Sequence, residues 1–225
     1  MVYTLMLAAW MQFTPPPQAR TPEEYDAYLD VAEAAAPGEA LDAAKRFQRE
    51  YPKSELRSRV LEHCLEAYRK TGDRQRAITA GEASLEANPH NVALRATLSA
   101  LIANGADEGE RIRAEAHARR ALDELSRFRP PRSISPADWR RMEGGIRAAA
   151  HSALGLVAFG RDRTAEAIGE FEQAVRHNAD AAVYYRLGKL YQLTGRKAEA
   201  MALFRRAAGG GEPLVRALAE KELER

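Results

Sequence analysis

Residues 184–208, YYRLGKLYQLTGRKAEAMALFRRAA, form two amphipathic runs on either side of a Thr194-Gly195 turn. Apolar and small residues recur in both runs at helical spacing, which predicts two short helices joined by a tight turn. Gly188 and Ala200 lie where two antiparallel helices would cross, because only small side chains let two helix axes approach closely. The larger side chains would fill the space beside that crossing, so the stretch predicts a closely packed helical hairpin.

The same spacing recurs upstream of this hairpin, mostly at intervals of 33 residues. The first set of residues with this spacing is Leu154, Gly155, Ala167, Phe171 and Ala174, and the second is Leu187, Gly188, Tyr191, Ala200, Phe204 and Ala207. An earlier hairpin has Tyr68, Gly72, Ala77 and Pro89 in the same order. Self-similarity at such a period indicates a repeat protein in which each hairpin packs on its neighbours.

These intervals resemble the tetratricopeptide repeat (TPR), whose pattern reads W-x-x-L-G-x-x-Y, then Ala, Phe, Ala and a proline between repeats. Tyr184 stands at the position of the Trp. The resemblance implies an all-α protein, a right-handed α-solenoid of about five antiparallel helix pairs with a C-terminal capping helix. The repeats would lie near 22–52, 58–91, 92–126, 136–180 and 181–208, and a polar-faced capping helix at 212–225.

The sequence YPKS at 51–54 is also similar to repeats of bacterial envelope-assembly lipoproteins and of TPR proteins associated with the Tol-Pal system. The apolar run VYTLMLAAWMQF within residues 1–20 has the length of a signal-peptide core and is too short to span a bilayer. No Lys or Arg precedes it. We therefore expect a signal-peptide remnant or an apolar, proline-rich tail, and a periplasmic or secreted protein, with the cytoplasm as the alternative. No other segment is apolar enough to cross a membrane.

Composition gives no sign of catalysis. With 34 Lys plus Arg against 32 Asp plus Glu, the net charge of +2 favours no class of charged partner. The single Cys64 excludes an intramolecular disulfide, and we expect a buried, inert thiol. The five histidines form neither H-x-x-x-H nor H-E-x-x-H, so we predict no metal, no cofactor and no catalytic residue. Glu62 and Glu66, one helical turn apart, suit acid–base chemistry or simply a solvated helix face.

The resemblance implies that the first helix of each repeat lines a concave surface that binds another protein. The residues predicted to be exposed there and to bind a partner are Arg59, Glu62, Glu66, Arg69, Ser152, Leu156, Tyr185, Lys189 and Gln192. Between the charged ends, Ala96, Ala100 and Phe159 would make the middle apolar. Such a groove suits an amphipathic helix or an extended peptide.

The alternative partner is a polyanion or nucleic acid, which the sequence makes the less favoured hypothesis. Arginines cluster in residues 119–147 together with Phe128 and Trp139. The candidate phosphate-binding residues are Arg127, Arg129, Arg132, Arg140 and Arg141. Clustered arginines hold phosphates and aromatic rings stack on bases, so this segment predicts binding that weakens steeply with salt.

Overall fold

The structure is a computed structural model that describes residues 18–105, 107–130, 134–177, 180–210 and 212–224. Within these ranges the secondary structure consists of helices and turns, with no strand. The eleven helices are α1 (Pro22–Ala32), α2 (Pro37–Glu50), α3 (Arg57–Lys70), α4 (Arg74–Ala87), α5 (Val92–Ala103), α6 (Glu108–Arg127), α7 (Pro136–Gly160), α8 (Thr164–Arg176), α9 (Ala181–Leu193), α10 (Lys197–Ala208) and α11 (Pro213–Leu223). The apolar run of the predicted N-terminal tail, and Arg132, lie outside the described residues.

The helices belong to two compact units. Of the described residues, those within 1–98 and 129–134 form the N-terminal unit, and those within 99–128 and 135–225 form the C-terminal unit. Helices α1 to α4 therefore lie in the N-terminal unit and α6 to α11 in the C-terminal unit, while α5 contributes to both.

Consecutive helices pack as hairpins within each unit. The pairs α1–α2, α3–α4, α7–α8 and α9–α10 are in contact, and α3 also packs on α2, α9 on α8 and α11 on α10. Stacked helical hairpins are the construction of an α-solenoid. The predicted fold class, an all-α protein of stacked helix pairs, is confirmed; the exact repeat boundaries stay a prediction.

Short polar residues fix where the helices begin. The Thr21 hydroxyl accepts a hydrogen bond from the Glu24 amide at the start of α1, and the Ser135 hydroxyl accepts one from the Asp138 amide at the start of α7. Both caps satisfy an amide that the first helical turn leaves without a partner. From Ser135 the chain continues as one helix of 25 residues, whereas α9 has 13. Helix α7 is therefore about twice as long as α9, although both are the first helix of a pair.

The turns inside the pairs share one backbone geometry. Gly72 and Gly195 have φ angles of 78° and 81°, and Asp162, which stands 33 residues before Gly195, has a φ of 59°. At each turn the amide that follows this residue bonds back across the turn, as from Asp73 N to Tyr68 O at 2.9 Å. This is the helix-ending motif that needs a left-handed residue, which glycine adopts at least cost.

Glycine and phenylalanine meet where the helices of a pair cross. A Cβ atom added to Gly188 of α9 would lie 2.7 Å from the Phe204 ring of α10. A Cβ atom on Gly155 of α7 would lie 2.8 Å from the Phe171 ring of α8. Both distances are far below van der Waals contact, so a larger residue at either glycine would force the two helices apart. The close crossing predicted from the sequence is therefore present in two hairpins.

The α3–α4 hairpin makes the same crossing with the sizes reversed. Here the small residue is Gly81 on the second helix, and its Cβ would lie 2.7 Å from Leu65 Cδ1 on the first helix. Leu65 and Gly81 are 16 positions apart, as are Gly188 and Phe204. One small and one large side chain thus fill the crossing in each of these hairpins, whichever helix carries the glycine.

Most residues predicted to pack the repeats are buried. Alanines at the crossings, such as Ala77, Ala167 and Ala200, are almost fully inaccessible, as are Phe171 and Phe204. Three predicted packing positions differ. Tyr68 is only half-buried, and Gly72 is exposed in the turn between α3 and α4. Pro89 is exposed because it follows the end of α4, where it stops the helix instead of packing.

Replacing Gly188 by Leu should lower the free energy of unfolding by about 1–3 kcal/mol, because the new side chain overlaps the Phe204 ring. Gly169→Leu on α8 is the matched control: nothing lies within 4 Å of its added Cβ, so this change should be neutral or slightly stabilising. Urea denaturation measures both. In the double variant Gly188→Leu/Phe204→Gly, the sizes are reversed as in α3–α4, and we expect less destabilisation than the sum of the single changes. Strict additivity would contradict the size-complementarity of the crossing.

Candidate partner-binding surface

The residues predicted to bind a partner all lie on the first helix of a pair and are called the first-helix surface below. They are Arg59, Glu62, Glu66 and Arg69 on α3, Ser152 and Leu156 on α7, and Tyr185, Lys189 and Gln192 on α9. Those on α3 belong to the N-terminal unit and the rest to the C-terminal unit, so the two sets are described separately.

Glu62 is buried, so the prediction that it is exposed is wrong. Its carboxylate Oε1 accepts a hydrogen bond of 2.9 Å from the side-chain amide of Asn91. The Asn91 oxygen in turn accepts a hydrogen bond of 2.8 Å from the Leu94 amide in the first turn of α5. Glu62 therefore connects α3 to the start of α5, which is a structural role.

Burial also changes the protonation of Glu62. Loss of solvation raises the pKa of its carboxyl from 4.5 to about 7, against the opposing effects of the nearby Arg59 charge and the Asn91 hydrogen bond. A carboxyl with such a pKa exists as a mixture of charged and neutral forms at neutral pH. One signal for this arrangement is visible in the sequence, because Asn91 stands directly before an apolar helix, a position typical of a capping residue.

The other end of α3 carries an ion pair near the solvent. Arg69 Nε lies 3.0 Å from Glu66 Oε2, one turn away on the same helix. Pairs of this kind contribute little to stability because water screens them. Exchanging this contact for one with a partner would therefore cost the fold little.

On α7 the first-helix surface is apolar. Ser152 is buried, contrary to the prediction, whereas Leu156 is half-buried and packs against the hydrophobic core that α8, α9 and α10 share. Phe159, three residues further along the same helix, is 50% exposed. An aromatic side chain left half in water beside a half-buried leucine is an apolar feature of the kind that partner proteins contact.

On α9 the residues of the first-helix surface already contact other side chains of this chain. Lys189 Nζ lies 3.0 Å from Glu222 Oε1 of α11, and the Gln192 side-chain amide donates to Glu222 Oε2 at 3.3 Å. Lys189 Nζ also donates to Gln192 Oε1 at 2.8 Å. Tyr185 is half-buried, with its ring centroid 5.8 Å from that of Phe204. These three side chains are half-buried, and their contact with a partner stays a prediction.

Helix α11 differs from the polar-faced capping helix predicted for residues 212–225. It buries Val215 and Ala219 together with the charged Glu222, and it leaves Leu214 and Leu218 exposed. Its inner side therefore contains a carboxylate and its outer side contains two leucines. The spacing of Val215, Ala219 and Glu222, at four and then three residues, was the available signal that Glu222 lies on the inner side.

Most arginines of the 119–147 segment lie beside carboxylates on their own helices. Arg127 pairs with Asp123 at 2.6 Å and Arg141 with Asp138 at 3.2 Å. The other such pairs are Arg119–Glu115, Arg120–Glu124 and Arg147–Glu143. Phe128 and Trp139 stack on each other with centroids 5.4 Å apart. Exposed ion pairs of this kind exchange at little cost to the fold, so binding of a polyanion by this segment stays a prediction.

The cysteine and histidine side chains that could support catalysis are instead buried or bonded within the fold. Cys64 is buried, and burial raises its thiol pKa to about 11, so the reactive thiolate is scarce at neutral pH. His151 Nδ1 lies 2.8 Å from Glu170 Oε2, which ties α7 to α8. Among the described residues, no group of three or more His, Cys, Asp or Glu side chains is arranged to hold a metal ion. Nor is any helix in these ranges long and apolar enough to cross a membrane.

The hairpin that carries the glycine–phenylalanine crossing of α9 and α10 is also the segment with a recognisable family. Residues 181–209 match the tetratricopeptide repeat. The match covers α9, α10 and the turn between them. No curated protein matches the chain in sequence.

Solved structures with a similar fold include a TPR protein. The chain is similar to a thermophilic TPR protein of Thermus thermophilus, with 22% identity, a TM-score of 0.54 and coverage of 90% of this chain and 100% of that one. It is also similar to MamA from Desulfovibrio magneticus RS-1, with 18% identity, a TM-score of 0.54 and coverage of 84% and 95%. These similarities concern the fold. The predicted likeness to envelope-assembly and Tol-Pal-associated proteins stays a hypothesis.

Replacing Glu62 by Gln should change the pH dependence of stability. Because the folded-state pKa of Glu62 is raised to about 7, its contribution to stability is fully present below pH 4.5 and is lost as pH rises to about 7. Each pH unit between these two values corresponds to about 1.4 kcal/mol, so the loss is about 3 kcal/mol. The glutamine side chain stays neutral, so the stability of Glu62→Gln relative to wild type should increase by roughly this amount between pH 4.5 and pH 8.

Urea denaturation at several pH values measures this difference, since all other titrating groups are common to both proteins. Glu86→Gln removes an exposed carboxylate from α4 and controls for the loss of one charge. A difference between Glu62→Gln and wild type that stays constant from pH 4.5 to pH 8 would contradict the buried, proton-binding state of Glu62.

Proposed function

We propose that this protein is a non-catalytic scaffold that binds a peptide or a helix of another protein on the first-helix surface of the C-terminal unit. The fold supports the proposal, because TPR hairpins are generally used to bind other proteins. The observation that carries it is a pair of neighbouring apolar side chains on α7, of which Leu156 is half-buried and Phe159 is 50% exposed. A half-exposed ring beside a half-buried leucine offers a partner an apolar contact area.

The packing of the hairpins favours binding without large rearrangement. Leu156 and Tyr185 pack against one hydrophobic cluster that also contains Phe171, Leu187 and Phe204. Side chains held by such a core lose little conformational entropy when a partner binds. The binding surface would therefore be preformed, with the rigid helices presenting it.

The proposed location is the periplasm or the exterior of a bacterial cell, with envelope assembly as the pathway. Its support is the apolar run in residues 1–20 and the YPKS sequence at 51–54. The compartment of the captured partner tests this location independently of the binding surface.

Affinity capture from native cells with two matched variants tests the proposed surface. Phe159 on α7 and Tyr25 on α1 are both 50% exposed, so replacing either by Ala removes a similar solvated aromatic group. Tyr25 lies in the N-terminal unit, outside the first-helix surface of the C-terminal unit. We expect Phe159→Ala to reduce recovery of the partner by about tenfold or more, as for a central contact residue, and Tyr25→Ala to leave recovery unchanged.

Equal recovery by the two variants would contradict the placement of the site on α7. Nuclease treatment during the same capture tests the polyanion hypothesis. Recovery of nucleic acid alone, lost with nuclease or in high salt, would favour the segment 119–147 instead.

A further inference from the structure

We propose that the surface of α9 and α10 beneath α11 is a docking site for an amphipathic helix with a glutamate on its apolar side, and that α11 is its internal occupant. The inference rests on the protein-binding function proposed above and names the chemistry of the partner. A partner helix would dock after α11 leaves.

The polar contact under α11 gives the site its selectivity. The side chain of Glu222 is only 7% exposed, and its two oxygens meet Lys189 and Gln192 on α9. Lys189 keeps 34% of its side chain exposed, so the costly step is the burial of the Glu222 carboxylate, and a helix that merely covered the end of the fold would be better served by an apolar residue here. The ion pair distinguishes one bound helix from another, because a helix without the carboxylate loses the contacts with Lys189 and Gln192.

The apolar contact under α11 is short. On its inner side α11 buries Val215, Ala219 and Glu222, at positions i, i+4 and i+7. A helix of 11 residues is marginal by itself in water, so α11 depends on this contact to remain helical. Three positions along one helical face are the usual way in which a groove recognises a helical ligand. The recognised pattern is therefore an apolar residue, a small residue four positions later and a glutamate three positions after that.

The residues that hold Glu222 are also residues that the repeat pattern predicts to face a partner. Lys189 and Gln192 occupy the positions on α9 that correspond to the partner-facing positions of a TPR first helix. The chain thus places its own helix on side chains that the fold normally offers to a partner. Occupation by α11 keeps the site closed until a competing helix displaces it or α11 is released.

A labelled peptide with the sequence of residues 212–224, EPLVRALAEKELE, is the probe for this site. In the wild-type chain the tethered α11 meets its site at an effective concentration of about 1 mM, so added peptide should bind weakly. In Glu222→Lys the new charge faces Lys189, α11 should leave, and the peptide should bind at least about tenfold more tightly than to wild type. Glu220→Lys makes the same charge change at an exposed position of α11 and should bind peptide like wild type.

Reversing the charges at both position 222 and position 189 provides a second test of the site. In the variant Glu222→Lys with Lys189→Glu, α11 can pair again with opposite polarity, while the glutamate of the peptide faces the new carboxylate at position 189. We expect the gain in peptide binding to disappear. Glu222→Gln keeps the size of the side chain and is the milder variant if the charge reversal disturbs folding; it should give a smaller increase in peptide binding.

Hydrogen exchange of the backbone amides shows whether Glu222→Lys releases α11 alone or also unfolds α9. The proposal predicts loss of protection in α11 with protection retained in α9. Equal peptide binding by Glu222→Lys and Glu220→Lys, or full protection of α11 in Glu222→Lys, would overturn it. Formation of dimers by Glu222→Lys without peptide binding would also overturn it, because the uncovered face would then accept another surface of the chain. None of these results bears on Phe159, so the proposed function is tested separately.

Discussion

The close approach of two helices at one residue position is the constraint on which the rest of each unit depends. At Gly155 and Gly188 the facing phenylalanine leaves no room for a Cβ atom. This contact sets the distance between the helices of a pair, which decides which residues are enclosed and which side of the first helix remains outside. The α3–α4 hairpin shows that the constraint is one of summed volume, because Leu65 and Gly81 satisfy it with the large and small residues exchanged. Helix crossings tolerate such exchanges when the total volume is conserved.

The helical hairpins could be predicted from the sequence because each one encodes its own crossing and its own turn. Gly195 and Gly188 mark these features without reference to the rest of the chain, and the structure shows a left-handed residue and a close contact at those positions. Asp162 shows the limit of this approach, since it adopts the same left-handed conformation at an equivalent position without being glycine. The surrounding motif imposes the conformation, and aspartate tolerates it better than most residues do.

Exposure was harder to predict because it depends on the neighbouring helix, not on the helix that carries the residue. Glu62 and Glu222 are charged residues of a type that is usually exposed, yet both are buried. Each is accommodated by an amide side chain of another helical segment, Asn91 for Glu62 and Gln192 for Glu222. A polar residue on an inward position is stable only with such a partner, and the pairing of distant positions is not visible in one sequence. The two carboxylates also join helices that are two apart in the chain, α3 to the start of α5 and α9 to α11, through polar contacts in addition to the apolar packing.

The central functional claim is that a partner contacts the first helix of a pair and not the second. The most direct measurement is photo-crosslinking in native cells from a benzophenone amino acid placed at Leu156 on α7 or at Ile168 on α8. Both residues are half-buried and pack against the same hydrophobic cluster, so they differ mainly in which helix of one hairpin carries them. The account predicts a specific crosslinked protein from position 156 and none from position 168. A crosslinked partner from position 168 alone would contradict it and place the binding surface on the second helix.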